Sequence, residues 1–141
     1  MYQKFNDLIT IFSNTRWASD YWSDVVVVEA EEILSQFSEN DWEVLQKNLS
    51  LKPLFWQQRL VECLGYQQNS HELQVILQLL VGTDDDLSIA CIDALRSIDV
   101  TNLDVCVKDK LIAKIHALSR ISSLPVKLIL ADFSAKLYHA K

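Results

Sequence analysis

The residues of this chain that could carry chemistry are three histidines, three cysteines and an unbroken run of three aspartates. His71, His116 and His139 stand far apart, and none has a second His, Cys or carboxylate at the spacing of a metal-binding motif. The pair His71-Glu72 reads better as the start of a helix. Cys63, Cys91 and Cys106 are odd in number, widely separated and form no CxxC, which argues against a disulfide framework or a zinc site. Each falls on the apolar side of a predicted helix and reads as a small buried hydrophobe. A reactive thiol needs a nearby base or positive field, and the local sequence supplies neither. Asp84, Asp85 and Asp86 could suggest a cation site, but adjacent acids on a helix do not converge on one point. A calcium loop spreads its ligands over about twelve residues around a glycine. The three acids read instead as charge at a helix start. GxGxxG, P-loop, GxSxG and HExxH patterns are all absent. The sequence therefore points to no catalytic residue, no cofactor and no metal, and leaves binding as the class of function.

Acids and aromatics are the remaining candidates. Residues 17–46 hold Asp20, Asp24, Glu29, Glu31, Glu32, Glu39, Asp41 and Glu43 with no Lys or Arg, a local charge of −8. Residues 108–141 carry Lys108, Lys110, Lys114, Arg120, Lys127, Lys136 and Lys141 against Asp109 and Asp132, or +5. The whole chain is −6, which suits nucleic acid poorly, because phosphate contacts need cations. Trp17, Tyr21 and Trp22 stand at the head of that acidic stretch, and Trp42 lies among Glu39, Asp41 and Glu43. Two readings stand side by side: core aromatics under solvated acidic faces, or aromatic anchors ringed by acids that select a cationic protein. On the second reading the partner surface is Asp20, Asp24, Glu31, Glu32, Glu39, Asp41 and Glu43. Trp42 would be its anchor, and Asp84, Asp85 and Asp86 a second patch.

The elements that must position these residues are helices. The 141 residues include only two glycines and two prolines, and half are hydrophobic, which fits one domain of long helices joined by short loops. No apolar run approaches the ~20 residues of a membrane helix, and the N-terminus lacks a signal-peptide pattern. The expectation is a soluble, cytoplasmic protein. Apolar residues recur at offsets of three and four. They mark helices over about 2–14 (Phe5, Leu8, Ile9, Phe12) and 19–37 (Trp22, Val26, Ala30, Ile33, Phe37). The run Val25–Val28 also has strand character, but the surrounding glutamates continue the helical pattern. Asn40 with Glu43 resembles a capping box opening a helix with Trp42, Leu45 and Leu49. Pro53 opens a helix over about 53–64, closed by Gly65. Asn69 with Glu72 opens the next, with Leu73, Ile76, Leu77 and Leu80. Gly82 is expected to end it in the left-handed conformation, and Thr83 to cap a helix bearing Leu87, Cys91, Ala94, Leu95 and Ile98. Thr101 or Asn102 would cap a helix over about 103–118, and Pro125 would begin the last, with Ile129, Phe133 and Leu137. About eight helices and no convincing strand result.

A weak internal repeat underlies the pattern. Trp56, Leu60, Cys63 and Leu64 align with Leu87, Cys91, Ala94 and Leu95 at an offset of 31, and Val26, Ala30, Ile33 and Leu34 repeat the spacing 30 residues earlier. The turn Asp84-Asp85-Asp86-Leu87 followed by Cys91-Ile92-Asp93-Ala94-Leu95 resembles the second helix of HEAT-like repeats, as in part do Trp56, Arg59-Leu60 and Cys63-Leu64-Gly65. Ser88 departs from that plan, since such repeats often carry Arg there. The likeness covers residues 38–99 well and the rest poorly. It implies an all-α single domain, 1–141, of stacked antiparallel helix hairpins forming an α-solenoid. Small acidic HEAT-like proteins are similar to bacterial immunity proteins, including those paired with contact-dependent growth-inhibition toxins. That resemblance implies a toxin inhibitor whose acids occlude a basic, nuclease-type toxin domain. The alternatives are a scaffold or adaptor holding peptides in the groove of the array, and, further off, a HEAT-like DNA glycosylase using Lys108, Lys110, Lys114, Arg120 and Lys127 as a basic groove.

Overall fold

The computed structural model describes residues 1–13, 21–67, 69–82 and 84–139. Among the described residues there are eight α-helices and no strand. They are α1 (Tyr2–Ser13), α2 (Val27–Ser35), α3 (Glu39–Asn48), α4 (Leu54–Glu62), α5 (Ser70–Leu79), α6 (Asp85–Leu95), α7 (Val105–Ser119) and α8 (Leu124–His139). A π-helical turn, Trp22–Val26, runs directly into α2, and a 3₁₀ turn, Leu49–Leu51, follows α3. The four valines are thus helical. Val26 is buried while Val25 and Val28 face out, the spacing of a helix rather than the alternation of a strand.

Helix α1 packs on α4, α4 on α6, and α6 on α8, so these four form one row. Helices α2 and α3 lie against α1, α5 against α6, and α7 against α8. The flanking helices are tied across the turns by side chains: Gln78 of α5 donates to the Gln46 carbonyl (3.2 Å), and Lys114 of α7 to the Gly82 carbonyl (3.0 Å). Both ties link residues 32 apart, close to the offset of the sequence repeat. The first copy of that repeat departs from it, because α1 rather than α2 is the helix that packs against α4 in the row.

The core follows the stripes. Phe5, Ile9, Trp22, Val26, Ala30, Ile33, Trp56, Leu60, Leu87, Cys91, Leu95, Leu111, Ile115, Phe133 and Leu137 are all buried. Helix α5 is corrected: Val75 and Leu79 are buried with Ile76 and Leu80, while Leu73 and Leu77 are only partly covered. The helix packs on α6 and is tied to α3 through Gln78, so its apolar arc is wider than one stripe. In α8, Leu130 takes the fully buried place expected of Ile129. Cys63 and Cys91 are buried, but Cys106 is exposed at the start of α7.

Several helix ends sit elsewhere than expected. Ser38, not Asn40, caps α3: its hydroxyl accepts from the Asp41 N–H, and the Asp41 carboxylate accepts from the Ser38 N–H. Asn69 caps α5 as expected, accepting from the Glu72 N–H at 3.0 Å. Asp84 caps α6, accepting from the Leu87 N–H at 2.8 Å; Thr83 lies outside the described residues. Asp104 caps α7. Asp99 instead organises the preceding turn, taking both the backbone N–H and the hydroxyl of Thr101. Gly65 has φ +105°, while Gly82 keeps a negative φ, so only Gly65 needs the left-handed region.

Candidate functional site

The inward face of the π turn and α2 is fixed by Trp22, Val26, Ala30, Ile33 and Leu34. Burial of that face turns the opposite one to solvent. It carries Tyr21, Val25 and Val28, which are 56, 47 and 58 % exposed. Asp24, Glu29 and Glu32 lie beside them, all exposed. The result is an apolar strip within an acidic face. Among the described residues, Arg59 is held away from it: its guanidinium lies 5.0 Å over the Trp22 ring and 3.2 Å from Glu62, which also accepts from the Trp22 indole N–H. Glu31 lies at the edge and is half buried. Burial, and then the neighbouring Glu72 carboxylate, push its pKa up. Its backbone carbonyl accepts from the Gln67 amide.

The expected partner-binding residues separate into free and committed groups. Asp20 and Trp17 lie outside the described residues. Asp24, Glu32 and Glu43 are exposed. Glu39 is exposed and 3.1 Å from His71 Nε2. Asp41 is committed. It closes the α3 cap, accepts from the Tyr2 N–H at 3.1 Å and lies 3.5 Å from the chain's first ammonium. Hydrogen bonds from the Ser38 and Tyr2 backbone, the Ser38 hydroxyl and the nearby ammonium hold its carboxyl below the usual range, against the opposing effect of burial. Trp42 is corrected: only 3 % exposed, it stacks on His71 (centroids 5.4 Å apart, planes 8° apart) and meets the edge of Phe37 at 5.0 Å. It is core, and among the described residues Tyr21 is the exposed aromatic beside the acids. Asp84 is occupied as a cap, while Asp85 and Asp86 are exposed in the first turn of α6. Among the described residues, Asp41 and Asp84 are therefore taken up by helix caps while Asp24, Glu32, Glu43, Asp85 and Asp86 are exposed.

Two clefts open between successive helix pairs. The first, about 520 Å³, lies between the α3–α4 and α5–α6 turns, with Leu49, Leu54, Leu79 and Leu87 as apolar walls and Asp84 at its rim. The second, about 430 Å³, lies between α5 and α7, with Leu77, Leu80, Val107 and Leu111 as walls and Lys110 and Lys114 at its rim. Val81, 84 % exposed, is shared by both and stands on the ridge between them. No carboxylate lines the lysine-rimmed cleft among the described residues.

Sequence reasoning missed Glu72. Its position three residues after Asn69 suggested a reciprocal cap. Instead the fully buried carboxylate accepts from the Gly65 N–H (2.7 Å) and the Gln67 N–H (2.9 Å), holding the α4–α5 loop against α5. The signal was in the chain: a glycine turn leaves backbone donors that a nearby acid can satisfy. The buried thiols are poor nucleophiles. Burial, with Glu31 and Glu62 adding to it, pushes Cys63 well up, and burial raises Cys91 to about 12 although Lys114 opposes it. Among the described residues no group of three or more His, Cys, Asp or Glu could hold a metal ion, and no helix is long and apolar enough to cross a membrane. Compared with known proteins, the chain matches no family model, no curated protein and no solved structure.

Proposed function

We propose that this chain is a non-catalytic protein-binding module of the HEAT-like helical-repeat class, acting in the cytoplasm as an immunity protein against a basic, nuclease-type toxin domain. The observation that carries the reading is the outer face of α2 and its π turn, where Tyr21, Val25 and Val28 lie exposed between Asp24, Glu29 and Glu32. Apolar contact supplies affinity, and an aromatic residue such as Tyr21 is a common anchor. The acids stand in for the phosphates that a nuclease surface is built to hold. They accelerate encounter, while desolvated contacts set the lifetime of the complex. The ties between residues 32 apart support a stacked-hairpin array.

The test is inhibition. A basic protein recovered on the immobilised chain is assayed for nuclease activity with and without one equivalent of the chain. Suppression by wild type, and its loss in an Asp24→Asn, Glu29→Gln, Glu32→Gln variant, is the expected result. A captured protein whose activity the chain leaves unchanged excludes the immunity reading. A second reading, an adaptor that holds peptides, is favoured by the two clefts beside Val81. It would show as several partners whose binding survives neutralisation of α2.

A further inference from the structure

The basic end of the chain has no part in the reading above, yet it forms a defined surface. Lys110 and Lys114 stand four residues apart on α7 and so share one face, together with Val107 and Leu111. With Leu77, Leu80 and Val81 they make an apolar cleft rimmed by cations. Such a cleft fits an apolar strip bordered by acids, and the chain itself carries one in Tyr21, Val25 and Val28 with Asp24, Glu29 and Glu32. The two match in length. Tyr21 to Val28 and Val107 to Lys114 each cover eight residues, seven steps along the chain and roughly 10 Å at the rise of an α-helix. They cannot meet within one molecule, because α2 packs on α1 and α7 on α8, at opposite ends of the row α1–α4–α6–α8.

We infer that the acidic, apolar strip of α2 on one copy docks into the lysine-rimmed cleft between α5 and α7 of a second copy. The contact joins unlike surfaces, so it closes as a reciprocal pair or continues as an open chain. One short helix face in a shallow cleft falls below the area of a stable interface, so the association is weak, with a Kd on the order of 100 μM. It does not rest on the toxin reading, although a basic partner on α2 would compete with it.

Sedimentation velocity of the full chain, at concentrations well below and well above that Kd and at low salt, tests it. Wild type is expected to pass from monomer to larger species. A Lys110→Glu, Lys114→Glu variant and an Asp24→Lys, Glu29→Lys, Glu32→Lys variant are each expected to stay monomeric. Their equimolar mixture is expected to associate again, because each then offers the other a complementary surface. Lys114 also donates to the Gly82 carbonyl, so Lys110→Glu alone, at an exposed position, repeats the test should the double variant unfold. Monomeric wild type at every concentration overturns the inference. So does association that neither charge reversal weakens, or a mixture that stays monomeric while wild type associates.

Discussion

Asp41 binds two backbone N–H groups, a hydroxyl and the nearby first ammonium of the chain, and these ties lower its pKa. A carboxyl depressed in the folded state lends stability that is complete above the ordinary carboxylate value, about 3.9. That stability is lost as pH falls through the lower folded value. Asp41→Asn is therefore expected to destabilise at neutral pH and to flatten the loss of stability on acidification below about pH 4. Urea titrations across pH check both. Glu72→Ala removes the carboxylate that accepts from the Gly65 and Gln67 N–H groups and is expected to cost about 2–4 kcal/mol. The cysteines give a simpler readout. In the native protein a thiol reagent is expected to modify Cys106 alone, with Cys63 and Cys91 reacting only on unfolding, since both are buried and raised in pKa. Local pattern could not separate Cys106 from the others, because it opens α7 where no neighbouring helix covers it.

Helix existence is legible from apolar spacing, and the Asn69 cap of α5 with it, but several other helix starts are not. Both Ser38…Asp41 and Asn40…Glu43 satisfy the capping-box pattern, and the stripe of α3 does not choose between them. The choice is made by packing. With Ser38 as cap, Phe37 precedes the helix and Trp42 is its fourth residue, and their rings meet at 5.0 Å as a hydrophobic staple. Ser38→Ala is expected to cost about 1 kcal/mol, and Asn40→Ala no more than about 0.5 kcal/mol, measured by thermal or urea unfolding. Gly65 and Gly82 divide in the same way. Gly65→Ala forces φ +105° on a residue with a Cβ, which would also stand 2.9 Å from Ser97 Oγ, at an expected cost of about 1–3 kcal/mol. Gly82 needs no such conformation. The sequence marks both as turn glycines; only the path of the loop tells them apart.

At the scale of the molecule, charge segregation could be read directly from the chain, but which acids are free could not. Asp41 and Asp84 went to caps and Trp42 to the core, because helix ends and buried stripes claim polar and aromatic groups before any partner does. What is left among the described residues is an exposed helix face, Tyr21, Val25 and Val28 among Asp24, Glu29 and Glu32, with one edge of the Tyr21 ring resting on Phe12 (centroids 5.9 Å apart). The most direct measurement is a parallel affinity capture from the source cells' lysate, eluted by a salt gradient. Wild type is compared with the Asp24→Asn, Glu29→Gln, Glu32→Gln variant. The expected result is one dominant basic protein on wild type, released only at high salt, toxic when produced alone and absent from the variant column. The same proteins on both columns, released at the same salt, would contradict the α2 face as the binding surface.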